Sequence, residues 1–111
     1  MNRVVIAALL ATTIPACAHP QLQSSTPAAN ASVKSPKLIS LRFTETLEPA
    51  FSGAILTDAA GKTVPVSASV GSTAITLIPF ALKPGAYKVT WHSVGHDTHR
   101  VNGNFGFKVI A

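Results

Sequence analysis

The chain has 111 residues, enough for one domain, and carries a formal net charge of +5 with 12% charged residues. Apart from Arg3, its basic residues are scattered singly between Lys34 and Lys108, and no run of them occurs. Nucleic-acid-binding proteins concentrate positive charge on one face or stripe. The composition therefore argues against a nucleic-acid-binding protein and favours a solvated basic surface.

The first 18 residues have the organisation of a secretory signal peptide. Arg3 gives a small basic region, residues 4–10 form an unbroken apolar run, and Ala16-Cys17-Ala18 matches a small-residue cleavage site. The run is too short to span a membrane, because a spanning helix needs about 20 apolar residues. We predict a signal peptide at residues 1–18 and an exported domain at residues 19–111, without stable membrane insertion.

A second interpretation of this segment is a lipoprotein signal. Ile14-Pro15-Ala16-Cys17 is similar to a degraded lipobox, in which Cys17 is acylated and becomes the first residue. Pro15 fits that motif poorly, whereas cleavage after Ala18 fits simple secretion well. The choice matters because only cleavage after Ala18 gives His19 a free amine. Removal of residues 1–18 also removes the single Cys and the single Met, so the exported domain has no disulfide.

Short segments with alternating apolar residues, separated by Pro and Gly, make up the rest of the chain. The alternation over Leu38–Phe43 and over Ala86–Trp91 predicts two strands, each with one buried face. No helical period of useful length follows residue 19. Short strands joined by turns at this spacing predict an all-β sandwich. Further strands are predicted at residues 54–57, 74–78 and 103–109, and residues 63–66 lead away from a predicted turn at residues 58–61.

The segment from Leu82 to Tyr87 resembles the corner that precedes a late strand in immunoglobulin-like sandwiches. Gly85 is expected to adopt a positive φ, which has little steric cost for glycine. The Tyr87 hydroxyl is then expected to hydrogen-bond back to the backbone. We therefore predict an immunoglobulin-like Greek-key β-sandwich of about seven strands.

His19 would become the first residue of the exported domain. An N-terminal histidine offers its α-amine and its ring Nδ1, which together close a chelate ring on one metal ion. The α-amine has a reference pKa of about 7.7–8.0, so a metal ion can displace its proton near neutral pH. The nitrogen of Pro20 carries no hydrogen and cannot serve as a deprotonated amide ligand. The expected chelate therefore consists of the amine and the imidazole.

Three further histidines and an aspartate lie between residues 92 and 99. In an extended segment, residues i and i+2 point to the same side, so Asp97 and His99 are expected to reach one ion. One amine, two imidazoles and one carboxylate suit Cu(II). His96 is expected to face away from Asp97 but is kept as an outside ligand candidate. His92 is expected on the solvent face of its strand.

Taken in order along the chain, these features resemble the CopC family of periplasmic copper-resistance proteins. The match covers nearly all of the exported domain, and its specificity comes from the succession of motifs together with a histidine at the cleavage site. The motifs are His19-Pro20-Gln21-Leu22, Ser25–Ala28, Leu41–Glu45, Leu47–Pro49 with Phe51–Gly53, Leu82–Trp91, Asp97–His99, Val101–Gly103 and Phe105–Phe107.

The resemblance implies a periplasmic sandwich that binds one Cu(II) ion through the amine and ring of His19, together with Asp97 and His99. Glu45 matches an acidic position near the metal in relatives, where it acts as a weak ligand or contacts a ligand. A copper transporter of the CopD type in the inner membrane is the implied partner. Some members also bind Cu(I) through a methionine-rich stretch. This chain has no Met after Met1, which implies a Cu(II)-only protein.

Two other functions remain open beside a non-enzymatic copper carrier or buffer. The amine and two imidazoles also form the histidine brace of polysaccharide-oxidising monooxygenases. Those enzymes need a flat aromatic surface, whereas this chain is 6% aromatic, and Asp97 would occupy a position that oxygen chemistry requires. A metal-free exported adhesion or structural domain explains the strands but makes the histidines a coincidence. We favour the carrier.

Overall fold

The computed structural model describes residues 19–111, which form nine strands in two sheets. The predicted signal peptide, including Cys17, lies outside these residues. Within them, no helix has the length and hydrophobicity of a membrane span. The strands are β1 (Leu22–Thr26), β2 (Ser32–Lys34), β3 (Ile39–Phe43), β4 (Gly53–Asp58), β5 (Thr63–Val64), β6 (Val66–Val70), β7 (Ala74–Pro79), β8 (Gly85–Val94) and β9 (Arg100–Ile110).

One sheet has four strands in the order β1-β3-β7-β6, and the other has five in the order β2-β9-β8-β4-β5. The pairing of β2 with β9 is parallel, and the other pairs in the two sheets are antiparallel. A 3₁₀ turn at Pro49–Phe51 leads into β4. The predicted all-β sandwich is confirmed, with nine strands instead of about seven.

The core lies between the sheets and follows the predicted alternation. Ile39 and Leu41 of β3 are fully buried, as are Ile75 and Leu77 of β7, whereas the residues between them are more exposed. Val89 and Trp91 of β8 face them from the other sheet. Each large apolar side chain buried in this way contributes about 1.5–3 kcal/mol to folding, which lets the domain form without a disulfide.

The predicted tyrosine corner is also present. The Tyr87 hydroxyl donates a hydrogen bond of 2.7 Å to the carbonyl of Lys83. Gly85 has a φ of 150°, in the region that favours glycine. The corner fixes the point where β8 begins.

Strands β8 and β9 form the longest hairpin, paired from Gly85↔Val109 to Val94↔Arg100. Trp91 is buried opposite Gly103, and the edge of its ring meets Phe43 at a centroid distance of 5.2 Å. A Cβ atom at Gly103 would lie 2.3 Å from Cζ2 of Trp91. The indole therefore occupies the space that any side chain at Gly103 would need. The loop that closes this hairpin, residues 95–99, carries the predicted metal ligands.

Candidate metal centre

His19 lies just before β1, in a segment held by contacts with both sheets. Pro20 is fully buried, and the buried Ser93 hydroxyl of β8 donates a 2.6 Å hydrogen bond to its carbonyl. On the other side, the Gln21 N–H donates to Oγ1 of Thr44, and the Thr44 N–H donates to the Gln21 carbonyl. These three hydrogen bonds fix where the His19 side chain begins.

The loop between β8 and β9 is a tight turn. The Thr98 N–H donates to the Gly95 carbonyl at 3.0 Å, and the His99 N–H donates to Oδ1 of Asp97 at 3.1 Å. Thr98 has a φ of 66°, which is unusual for a β-branched residue. The expectation of an extended Asp97–His99 segment is therefore wrong. The aspartate side chain instead bonds the backbone two residues on, a common turn device, and this places the two side chains together.

The structure brings the side chains of His19, Asp97 and His99 into one cluster. Nδ1 of His19 is 2.7 Å from Oδ2 of Asp97, and Nδ1 of His99 is 3.2 Å from the same oxygen. The three ligand atoms lie within 4.8 Å of one another. Ligands at about 2.0 Å from a metal are about 2.8 Å apart at right angles and about 3.3 Å apart in a tetrahedron. The two observed contacts fall close to these separations.

The electrostatics of the cluster keep Asp97 available as an anionic ligand. Desolvation raises the pKa of Asp97. The hydrogen bond from the His99 N–H and the nearby imidazoles of His19 and His99 lower it by a larger amount, so the net pKa of Asp97 falls below its usual value. Nδ1 of His19 is buried, and its approach to Asp97 does not have hydrogen-bond geometry. A buried donor atom without a hydrogen bond is costly, and coordination to a metal would satisfy it.

The other sequence candidates lie outside this cluster. Glu45 is exposed just beyond β3, and the grouping of ligand atoms around Asp97 does not include it. His96 points to Glu48, with Nδ1 at 3.5 Å from Oε2. His92 alternates with the buried Trp91 and Ser93, so it lies on the outer face of β8 as predicted, where it is half-buried with its ring beside Gly53. Burial and the charge of Arg100 lower the pKa of His92.

Sequence reasoning missed Ser93 and Thr44, which hold the segment that carries His19. The sequence does contain a signal for Ser93. It lies two and four residues after Trp91 and Val89, so a hydroxyl occupies a core-facing position of β8. Buried hydroxyls are nearly always hydrogen-bonded, which indicates a specific partner. That the partner is Pro20 could not be read from the sequence, because the pairing joins distant parts of the chain.

We expect the Ser93→Ala variant to bind metal more weakly and to melt at a lower temperature. The substitution leaves the buried Pro20 carbonyl without its hydrogen bond, at a cost of about 1–3 kcal/mol. It also loosens the backbone that positions His19. Thermal denaturation and Cu(II) titration measure the two effects, with Ser69→Ala on the exposed edge strand β6 as the control. Equal melting temperatures for the two variants would show that the Ser93 hydrogen bond contributes nothing.

Together, the fold and the cluster define a two-sheet β-sandwich with a candidate metal centre of two histidines and one carboxylate beside one hairpin loop. The model of the CopC domain matches residues 22–110. The chain belongs to the CopC domain family.

Curated relatives agree with this assignment. Copper resistance protein C of Escherichia coli is 41% identical over 105 residues, which cover 85% of this chain and 83% of the relative. Copper resistance protein C of Xanthomonas campestris pv. juglandis is 38% identical over 118 residues, covering 96% and 91%. Protein YobA of Escherichia coli (strain K12) is 40% identical over 98 residues, covering 83% and 79%.

Solved structures share the fold. The crystal structure of PcoC, a methionine-rich copper resistance protein from Escherichia coli, matches with a TM-score of 0.78 and 38% identity, covering 84% of this chain and 100% of that one. The crystal structure of CopC from Methylosinus trichosporium OB3b matches with a TM-score of 0.76 and 35% identity, covering 82% and 93%. The chain is therefore a member of a copper-resistance family in both sequence and fold.

Proposed function

We propose that the chain is an exported periplasmic carrier or buffer that holds one Cu(II) ion. The ligands are the amine and ring of His19, the carboxylate of Asp97 and the ring of His99. The observation that carries the proposal is the convergence of these three side chains, whose ligand atoms lie within 4.8 Å of one another. The relatives named for copper resistance supply the identity of the metal.

The donor set favours Cu(II) over Cu(I). Nitrogen and oxygen ligands in a tetragonal arrangement are typical of Cu(II) or Ni(II), whereas soft thioether ligands select Cu(I). The single Met of this chain is Met1, inside the predicted signal peptide. PcoC, the methionine-rich copper resistance protein with the same fold, differs in this respect. The proposal therefore includes no methionine site for Cu(I).

Carriage fits the site better than catalysis. Asp97 approaches both imidazoles, at 2.7 Å and 3.2 Å, and would occupy a coordination position that an oxygen-activating copper enzyme leaves open. We assign Glu45 a minor role, either as a weak ligand of the ion or as a residue that contacts one of the ligands. The recipient of the copper is proposed to be an inner-membrane transporter of the CopD type.

The proposal depends on the N-terminus and is tested there. We expect the exported protein to begin at His19 by mass spectrometry and to bind one tight equivalent of Cu(II) by calorimetry. A form that retains Ala18 and is acetylated at its amine has no free amine at His19, since that nitrogen is in a peptide bond. The acetyl group also prevents Ala18 and His19 from forming a dipeptide chelate of their own. The affinity of this form should fall at least about 100-fold. Loss of a residue that only contacts a ligand lowers metal affinity about 10–100-fold, and loss of a direct ligand should lower it more.

The matched control is a protein that begins at His19 and carries one extra alanine after Ala111. It has the same amino-acid composition as the form that retains Ala18 but keeps the amine. Its affinity should equal that of the unmodified protein. Tight binding by the acetylated form that retains Ala18, or an exported protein that begins at an acylated Cys17, would contradict the proposed ligand set.

A further inference from the structure

A second pair of metal-binding side chains lies on the other side of the loop that carries Asp97. Nδ1 of His96 is 3.5 Å from Oε2 of Glu48. Ligands about 2.0 Å from a metal in tetrahedral geometry lie about 3.3 Å apart, close to this separation. Among residues 19–111, Glu48 has no ion pair with Lys or Arg, so its carboxylate has no competing side-chain cation.

The backbone holds these two residues together. The Glu48 N–H donates a 2.8 Å hydrogen bond to the carbonyl of Val94, at the end of β8. The Val94 N–H in turn donates to Oγ of Ser52 at 3.0 Å. The segment that begins with Glu48 is thus joined to the strand end that leads directly into His96. The proximity of the two side chains therefore follows from the fold.

Glu48 and His96 open into a cleft of about 640 Å³ whose walls also include Phe51, His92 and Arg100. The His96 side chain is 80% exposed and that of Glu48 is 40% exposed, so an ion could enter from solvent and keep several waters. His92 is less available, because its ring packs on Gly53. Arg100 bonds Asn102 through Nε at 3.0 Å, and its charge weakens the attraction of the cleft for a cation.

We propose that Glu48 and His96 form a second site, which binds a divalent late transition metal such as Cu(II) more weakly and more reversibly than the His19 centre. Imidazole and carboxylate together suit Cu(II), Zn(II) and Ni(II). Two protein ligands and an open cleft explain the weaker binding. The inference rests on the proposed function in one respect, namely that the tighter site is the one formed by His19, Asp97 and His99.

The test is a Cu(II) titration of the protein purified after export. Calorimetry and electron paramagnetic resonance monitor the titration. The unmodified protein should bind one tight and one weaker equivalent, the second with its own spectrum. His96→Ala and Glu48→Gln should each remove the second equivalent and leave the first unchanged. His92→Ala is the matched control, because it removes a histidine from the same cleft, and it should retain both equivalents.

The outcomes separate this inference from the proposed function. A single tight equivalent in the unmodified protein, lost in His99→Ala, would overturn the second site and leave the carrier intact. A single equivalent that survives His99→Ala and is lost in His96→Ala would overturn the proposed carrier site and support this one. Loss of the second equivalent in His92→Ala but not in His96→Ala would overturn the assignment to Glu48 and His96.

Discussion

The His99→Ala variant is expected to lose tight Cu(II) binding, with an affinity at least about 100-fold lower than that of the unmodified protein. The substitution removes one of the three side chains that converge at the candidate centre and leaves the Asp97 carboxylate with one imidazole in place of two. The side chain of His99 is 73% exposed, so its loss should barely change the melting temperature of the apo protein. Competition titration against a chelator of known affinity measures the effect.

Two further variants serve as comparisons for His99→Ala. His92→Ala removes a histidine that does not belong to the cluster and should leave the tight equivalent unchanged. Glu45→Ala should lower the affinity about 10-fold, the low end of the 10–100-fold range for a residue that contacts a ligand without binding the metal directly. Unaltered tight binding in His99→Ala would contradict the ligand set and make His96 the better candidate.

The Gly103→Ala variant is expected to be severely destabilised. Its new methyl group would lie 2.3 Å from Cζ2 and 2.7 Å from Cε2 of Trp91, and the buried indole is confined by Phe43. Overpacking costs about 1–3 kcal/mol and sometimes more, and this contact should reach the upper end or exceed it. A loss of about 3 kcal/mol lowers the melting temperature of a domain of this size by at least about 12 °C. Thermal denaturation, monitored by the fluorescence of Trp91, measures the shift in melting temperature.

Gly71→Ala is the control for the change from glycine to alanine. A Cβ atom at Gly71 would lie 3.7 Å from the carbonyl oxygen of Ala74, an ordinary contact. Its melting temperature should change by no more than a few degrees. Similar melting temperatures for the two variants would show that the hairpin can shift to accommodate the added methyl group at Gly103.

The sequence was informative wherever a local pattern determined the structure. Alternating apolar residues predicted β3 and β7, and the turn chemistry before Tyr87 predicted its hydrogen bond to Lys83. The short strands β1, β2, β5 and β6 were not predicted. Their residues are small or polar and largely exposed, because each strand lies at a sheet edge, so they carry little periodicity.

The candidate site shows the same division. Residue chemistry was enough to nominate His19, Asp97 and His99, but the reason given for the proximity of Asp97 and His99 was wrong. The loop turns at Thr98 through a left-handed conformation that the residue type disfavours. The pairing of Glu48 with His96 depends on a hydrogen bond between distant backbone segments, which no local pattern encodes.

The candidate centre also connects the two sheets. His19 leads into β1 of the four-stranded sheet, whereas Asp97 and His99 belong to the hairpin of the five-stranded sheet. An ion bound there would act as a removable cross-link in a domain without cysteine, stabilising the folded state by about 4.1 kcal/mol at a metal concentration 1,000 times Kd. Proteases act on unfolded chains, so the metal-free form would be degraded faster than the loaded form. Metal supply would then set not only how much of the protein is occupied but how long each molecule survives.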